Sequence, residues 1–153
     1  MKKHILVVDD DLALTETISR SLQANGYMVT TTNSGKEAFT FLEIHRFDLI
    51  LCDIHMDEKD GFAILAASDT MSPKPQVILC SDDVVYKTIS LAFKCGAASF
   101  LAKPFLTSEL RHQVDRCLGQ KPMLPSQKMT PKTVATKLFG DDGRFGGQSS
   151  PTN

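Results

Sequence analysis

Ile5-Leu6-Val7-Val8-Asp9-Asp10-Asp11 sets four consecutive apolar residues directly against three aspartates. A strand with one wet face alternates apolar and polar residues, whereas an unbroken apolar run suits a strand covered on both faces. The same kind of run recurs at Leu49-Ile50-Leu51-Cys52, followed by Asp53, and at Val77-Ile78-Leu79-Cys80, followed by Ser81-Asp82-Asp83. Tyr27-Met28-Val29-Thr30 and Ser99-Phe100-Leu101-Ala102 read as two further strands, the second leading into Lys103-Pro104-Phe105.

Helical patterns lie between these runs. Leu12, Ile18 and Leu22 fall near one face of a first helix that Asn25-Gly26 would end. Ser34-Gly35-Lys36-Glu37 has the spacing of a capping box opening a second. Phe62 to Ser68, Val84 to Lys94 and Ser108 to Leu118 supply three more, the fourth helix stopping at Cys95-Gly96. Five strand–helix units in sequence predict an α/β fold with a parallel sheet, because parallel neighbours need crossover connections. A barrel would need eight such units, so the expectation is an open, doubly wound sheet.

Composition excludes several classes. Seventeen Lys and Arg against 18 Asp and Glu leave a net charge of −1, with no global pull toward nucleic acid or anionic lipid. No apolar run approaches the roughly 20 residues of a membrane span, and Met1-Lys2-Lys3 with Ile5 to Val8 is too short for a signal peptide. A cytoplasmic location is expected. Cys52, Cys80, Cys95 and Cys117 are widely spaced, without a C-x-x-C pair, and are expected to be reduced, buried thiols. His4, His45 and His112 are scattered and read as surface or strand-end residues.

In doubly wound sheets ligands bind at the carboxyl ends of the strands. That edge would gather Asp9, Asp10, Asp11, Asp53, Ser81 and Lys103. Adjacent carboxylates repel by up to about 4 kcal/mol per pair at 4 Å and an effective dielectric near 20. Mg²⁺ would offset this, since it takes a few carboxylates and keeps positions for phosphate oxygens. An aspartate beside a hard cation and a lysine is a credible phosphoryl acceptor. Each residue also has a plainer reading: Asp10 or Asp11 capping the first helix, Ser81 capping the fourth, Lys103-Pro104 forming an ordinary turn.

Ile5-Leu6-Val7-Val8-Asp9-Asp10, Asp48 to Asp53, Met56 with Asp60-Gly61, Val77 to Ser81, Gly96-Ala97 and Lys103-Pro104-Phe105 occur in an order and spacing that resemble the CheY-like receiver domains of two-component response regulators. The resemblance covers residues 4–118 and implies the flavodoxin-like (βα)5 sandwich with strand order 2-1-3-4-5. It implies that Asp53 accepts a phosphoryl group from a histidine kinase. Asp9, Asp10 and Asp53, with the backbone carbonyl of His55, would hold Mg²⁺. Lys103 would pair with the phosphoryl group, and Ser81 and Phe100 would form the switch. The resemblance implies a signalling module that catalyses only its own phosphorylation and dephosphorylation. A downstream protein would dock on the face of the fourth helix, fifth strand and fifth helix, and the resemblance allows a homodimer through the same face, as is common in the family. Lys87, Lys94, Arg111 and Arg116 are candidates for exposed residues there.

The chain departs from the family pattern at Asp57, where Pro is usual, and at Asp82, where a small residue is usual. Asp82 is expected to crowd and electrostatically oppose small anionic phosphodonors. Competing readings are a degenerate receiver acting as an interaction module, and a haloacid-dehalogenase-type phosphatase. The latter wants a second Asp two residues after its nucleophile, where this chain has His55.

Residues 1–120 carry a net charge of −4 and 121–153 a net of +3, and the latter hold four of the seven Pro and four of the nine Gly. The expected division is a receiver at 1–120 and a Pro/Gly-rich tail or linker at 121–153, without an effector domain. Its five basic residues are sparse and no reading helix follows, which argues against specific nucleic-acid binding. The chain is then either a stand-alone receiver or a piece of a longer regulator.

Overall fold

The computed structural model describes residues 1–56 and 60–119. The expected tail at 121–153, and the departure at Asp57, lie outside these residues.

Among the described residues, five strands and five helices alternate. They are β1 (His4–Val8), α1 (Leu12–Ala24), β2 (Met28–Thr32), α2 (Gly35–Ile44), β3 (Leu49–Asp53), α3 (Gly61–Ser68), β4 (Gln76–Ser81), α4 (Tyr86–Lys94), β5 (Ser99–Ala102) and α5 (Thr107–Cys117). All pairings are parallel, in the order β2-β1-β3-β4-β5. The order reverses between β1 and β3, and a crevice opens there at the carboxyl ends of the strands.

The unbroken apolar runs are covered on both sides, as their composition predicts. Leu6, Val8, Ile50, Cys52 and Leu79 pack with Ala38 and Leu42 of α2, Ile64 and Leu65 of α3, and Ile89 and Ala92 of α4. Ile5, Val7, Leu49, Leu51, Ile78 and Cys80 pack on the opposite face with Ile18 and Leu22 of α1 and Leu110 and Val114 of α5. No helix among the described residues is long and apolar enough to cross a membrane.

Local chemistry sets the helix ends. Asn25 caps α1, and Gly26 follows at φ +91°, with Gly26 N–H donating to the Gln23 carbonyl and Tyr27 N–H to that of Leu22. Gly96, at φ +104°, ends α4 in the same way. Both positions need the left-handed conformation that glycine adopts most readily. Only half of the capping box forms: Ser34 Oγ accepts from Glu37 N–H, while Ser34 N–H donates to Thr32 Oγ1.

Three expectations are corrected. Leu12 is 64% exposed, and the buried positions of α1 are Thr15, Ile18 and Leu22. Helical side chains lean toward the N-terminus, so one in the first turn leans past the sheet edge. Secondly, α4 starts at Tyr86 with Val85 as N-cap, so Ser81 does not cap it. The cysteines also divide: Cys52 and Cys80 are buried, Cys117 is partly buried and Cys95 is exposed.

An acid–lysine cleft at the sheet switch point

β1 and β3 flank the point where the strand order reverses, and each delivers an aspartate as its apolar run ends. Asp9 follows β1 and is buried; Asp53 is the last residue of β3 and is also buried. Asp10 is exposed beside them. One carboxylate oxygen from each of Asp9, Asp10 and Asp53 lies within 4.8 Å of the others.

Lys103 reaches this group from the end of β5. Its Nζ lies 2.6 Å from Asp9 Oδ2 and 2.9 Å from Asp53 Oδ2. The Lys103 backbone N–H donates to the Ser81 carbonyl at 2.9 Å, holding the strand end against β4, and the Lys103–Pro104 peptide is cis. Burial by itself lowers the Lys103 pKa, but the Asp9 and Asp53 carboxylates outweigh it and hold the ammonium above its ordinary value of 10.5. Lys103 is therefore charged at any physiological pH.

The second oxygens of both acids are held by backbone. Asp9 Oδ1 accepts from Asp11 N–H at 2.9 Å, and Asp53 Oδ1 accepts from His55 N–H at 3.1 Å. Asp9 Oδ2 is shielded from solvent, and the Lys103 contact does not have hydrogen-bond direction. A buried, incompletely satisfied carboxylate oxygen beside two further carboxylates suits a hard, oxygen-seeking divalent cation. The donor set thus fits Mg²⁺.

The expected plain role falls to Asp11, whose Oδ1 accepts from Leu14 N–H as N-cap of α1. Ser81 is fully buried, and its Oγ accepts from Asp83 N–H at 2.9 Å. Phe100 is 2% exposed, with its ring inside the core on the α2–α4 face. The His55 side chain is exposed, its Nε2 lying 3.9 Å from Asp83 Oδ2. Asp10, Asp11, Asp53, Asp82, His55 and Lys103 line one open cleft together with Leu14, Pro104 and Phe105. Of the four basic side chains expected on the α4–β5–α5 face, Lys87, Lys94 and Arg111 are exposed and Arg116 is half-buried.

Sequence reading gave Gly61 no role beyond its part in the resemblance. It opens α3 against the end of β3, its N–H donating to the Ile54 carbonyl at 3.0 Å. A Cβ there would stand 2.8 Å from the Asp53 carbonyl oxygen. A glycine just after a helix-capping Asp60 hints at a close approach; what it approaches emerges only in three dimensions.

A doubly wound five-stranded sheet carrying an acid–lysine cleft at its switch point is the arrangement of a receiver domain. The chain belongs to the response regulator receiver domain family, whose family model matches residues 5–115. It is 32% identical over 140 residues to the transcriptional regulatory protein ZraR of Escherichia coli K12, covering 92% of this chain and 31% of that protein. It is 29% identical over 126 residues to the regulatory protein VirG of Rhizobium rhizogenes, covering 82% of this chain and 52% of VirG. Among solved structures, chemotaxis response regulator CheY4 of Vibrio cholerae aligns with a TM-score of 0.72 at 28% identity, covering 77% of this chain and all of CheY4. Response regulator DrrB of Thermotoga maritima aligns with a TM-score of 0.73 at 25% identity, covering 80% of this chain and 55% of DrrB.

The chain thus spans about a third of the length of ZraR and half that of VirG. ZraR is by name a transcriptional regulatory protein, so the expectation against nucleic-acid binding finds no support among the relatives.

Proposed function

We propose that residues 1–120 act as a phosphorylation-controlled receiver in which Asp53 takes a phosphoryl group from the phosphohistidine of a sensor kinase or phosphotransfer protein. The observation that carries this reading is the Lys103 ammonium, set between Asp9 Oδ2 and Asp53 Oδ2 at 2.6 and 2.9 Å. A charge held there neutralises an arriving phosphoryl oxygen without having to move far, and phosphoryl transfer depends mainly on positioning and charge neutralisation.

An Asp53 carboxylate oxygen forms the new bond to phosphorus while the donor's N–P bond breaks and the imidazole leaves with the electron pair. The His55 N–H bond to Asp53 Oδ1 orients the carboxylate, leaving Oδ2 on the Lys103 side as the facing oxygen. Asp9, Asp10, Asp53 and the His55 backbone carbonyl would hold Mg²⁺, which when bound supplies positive charge against the phosphoryl oxygens. The chain then catalyses only its own phosphorylation and dephosphorylation.

The output is a population shift. The Ser81 hydroxyl, now accepting from Asp83 N–H, turns to donate to a phosphoryl oxygen. That stabilises the conformer with Phe100 inside the core, the one described above, over any with the ring outward, and so biases the surface of α4, β5 and α5, where a downstream partner or a second copy docks. Residues 121–153 serve as a tail or as a linker to an output domain, and the location is cytoplasmic.

Intact-mass measurement after incubation with Mg²⁺ and acetyl phosphate tests the acceptor. One phosphoryl group on the wild type and none on Asp53→Asn is the expected result. Equal incorporation into both would reject Asp53, and no incorporation from a cognate phosphorylated kinase would reject the phosphorylated receiver.

A further inference from the structure

Asp82 is an exposed residue on the wall of the cleft, and its side chain makes no hydrogen bond or ion pair among the described residues. Its neighbours are all engaged. Asp83 accepts from Thr88 Oγ1 and faces His55, Asp11 caps α1, and Asp10 and Asp53 belong to the carboxylate group. Among the described residues, four aspartates (Asp10, Asp11, Asp53, Asp82) thus line the cleft against one lysine, and Lys103 is already shared between Asp9 and Asp53. A divalent cation would leave this set of described side chains net negative. Asp82 adds to that field without stabilising any contact in the fold.

We propose that Asp82 determines which class of phosphodonor this site accepts. It disfavours free small-molecule donors carrying two negative charges. It does not penalise a protein-borne phosphohistidine that brings a basic side chain to pair with it. The proposal rests on Asp53 being the acceptor. The interaction energy scales with the donor's charge, so at low ionic strength removing the Asp82 charge should raise the on-rate of a dianion by about the square of the factor gained by a monoanion. At about 1 M salt the screening length falls to about 3 Å and both gains should vanish.

The test compares wild type, Asp82→Asn and Asp82→Ala with equal Mg²⁺, following incorporation by intact mass. The donors are acetyl phosphate, a dianion at neutral pH, phosphoramidate, a monoanion, and a phosphorylated histidine phosphotransfer protein that phosphorylates the wild type. Asp82→Asn keeps the size of the side chain and removes its charge. It should speed acetyl phosphate more than phosphoramidate, lose the advantage at high salt, and give no gain with the protein donor. An unchanged ratio between the two small donors would overturn the proposal. So would acceleration of every donor alike, or acceleration by Asp82→Ala alone, which would assign the residue a purely steric effect. Asp53→Asn is the separate control: if it takes up phosphoryl as the wild type does, the acceptor reading itself fails, whatever Asp82 does.

Discussion

Gly61 touches the backbone that presents Asp53. A Cβ built on Gly61 would lie 2.8 Å from the Asp53 carbonyl oxygen and 3.0 Å from both Ile54 Cα and Leu79 Cδ2. Two of these three atoms are backbone, which cannot swing aside as a side-chain tip can. Gly61→Ala should therefore push α3 away from the end of β3. Alanine would favour the helix by up to about 1 kcal/mol, but overpacking a close contact costs about 1–3 kcal/mol, so the overpacking wins. Denaturant unfolding should show a net loss of stability, together with slower phosphoryl incorporation at Asp53. A variant as stable and as reactive as the wild type would mean the contact relaxes without consequence.

Lys103 is the only basic residue in ion contact with Asp9 and Asp53 among the described residues. Lys103→Met retains most of the stem and deletes the charge, leaving two buried carboxylates facing each other. In the absence of divalent cation this should destabilise the fold by on the order of 2 kcal/mol, since removing one partner of a buried pair strands the other. Added Mg²⁺ should recover part of the loss, because the cation would take over the neutralisation. Melting curves with EDTA and with Mg²⁺ measure both effects; a variant as stable as the wild type in EDTA would contradict the account.

The sheet was legible because its central strands are unbroken apolar runs. Ile5 to Val8, Leu49 to Cys52 and Val77 to Cys80 can only be covered on both faces, and alternation with helices then dictates parallel pairing. The convergence of Asp9, Asp53, Ser81 and Lys103 was legible for the same reason, as each directly follows or ends a strand. Contacts between distant segments were not. Lys103 was expected to neutralise the carboxylate cluster or an arriving phosphoryl group, but which oxygens it reaches, Asp9 Oδ2 and Asp53 Oδ2, depends on how β5 lies against β4. Leu12 shared the periodicity of Ile18 and Leu22, yet periodicity says nothing of where the sheet edge falls. The bond between Ser34 N–H and Thr32 Oγ1 displaced a capping-box partner that spacing alone suggests.

Tyr27 reaches across 88 positions of sequence to donate its hydroxyl to Asp115 Oδ1, joining the α1–β2 turn to α5. Burial, followed by the Asp115 hydrogen bond, raises the phenol pKa well above its ordinary value of 10.0. A raised folded-state pKa contributes stability that is present in full below the unfolded value and is lost as pH rises through the folded one. Tyr27→Phe should cost about 1 kcal/mol at pH 7. Above pH 10 the wild type should lose stability faster than Tyr27→Phe, so that the two curves converge. Urea midpoints from pH 7 to 11 would reveal this, and parallel curves would show that the phenol is not protected.

Asp10 and Asp11 should separate by function when each is replaced by alanine. Asp11 Oδ1 caps α1 by accepting from Leu14 N–H, and loss of such a cap costs about 1 kcal/mol. Asp10 is exposed and supplies a carboxylate oxygen to the cluster with Asp9 and Asp53, without a role in a helix end. Asp11→Ala should thus lower stability while leaving Mg²⁺ affinity within about threefold of the wild type, because the lost charge lies outside the carboxylate cluster and is screened by water. Asp10→Ala should do the reverse, with near-normal stability and affinity reduced about tenfold or more by loss of a ligand. Calorimetric Mg²⁺ titration beside urea unfolding reads both quantities on the same samples. If Asp11→Ala were the variant that loses Mg²⁺, the ligand set would shift from Asp10 to Asp11 and the first helix would have to hold its end without the cap.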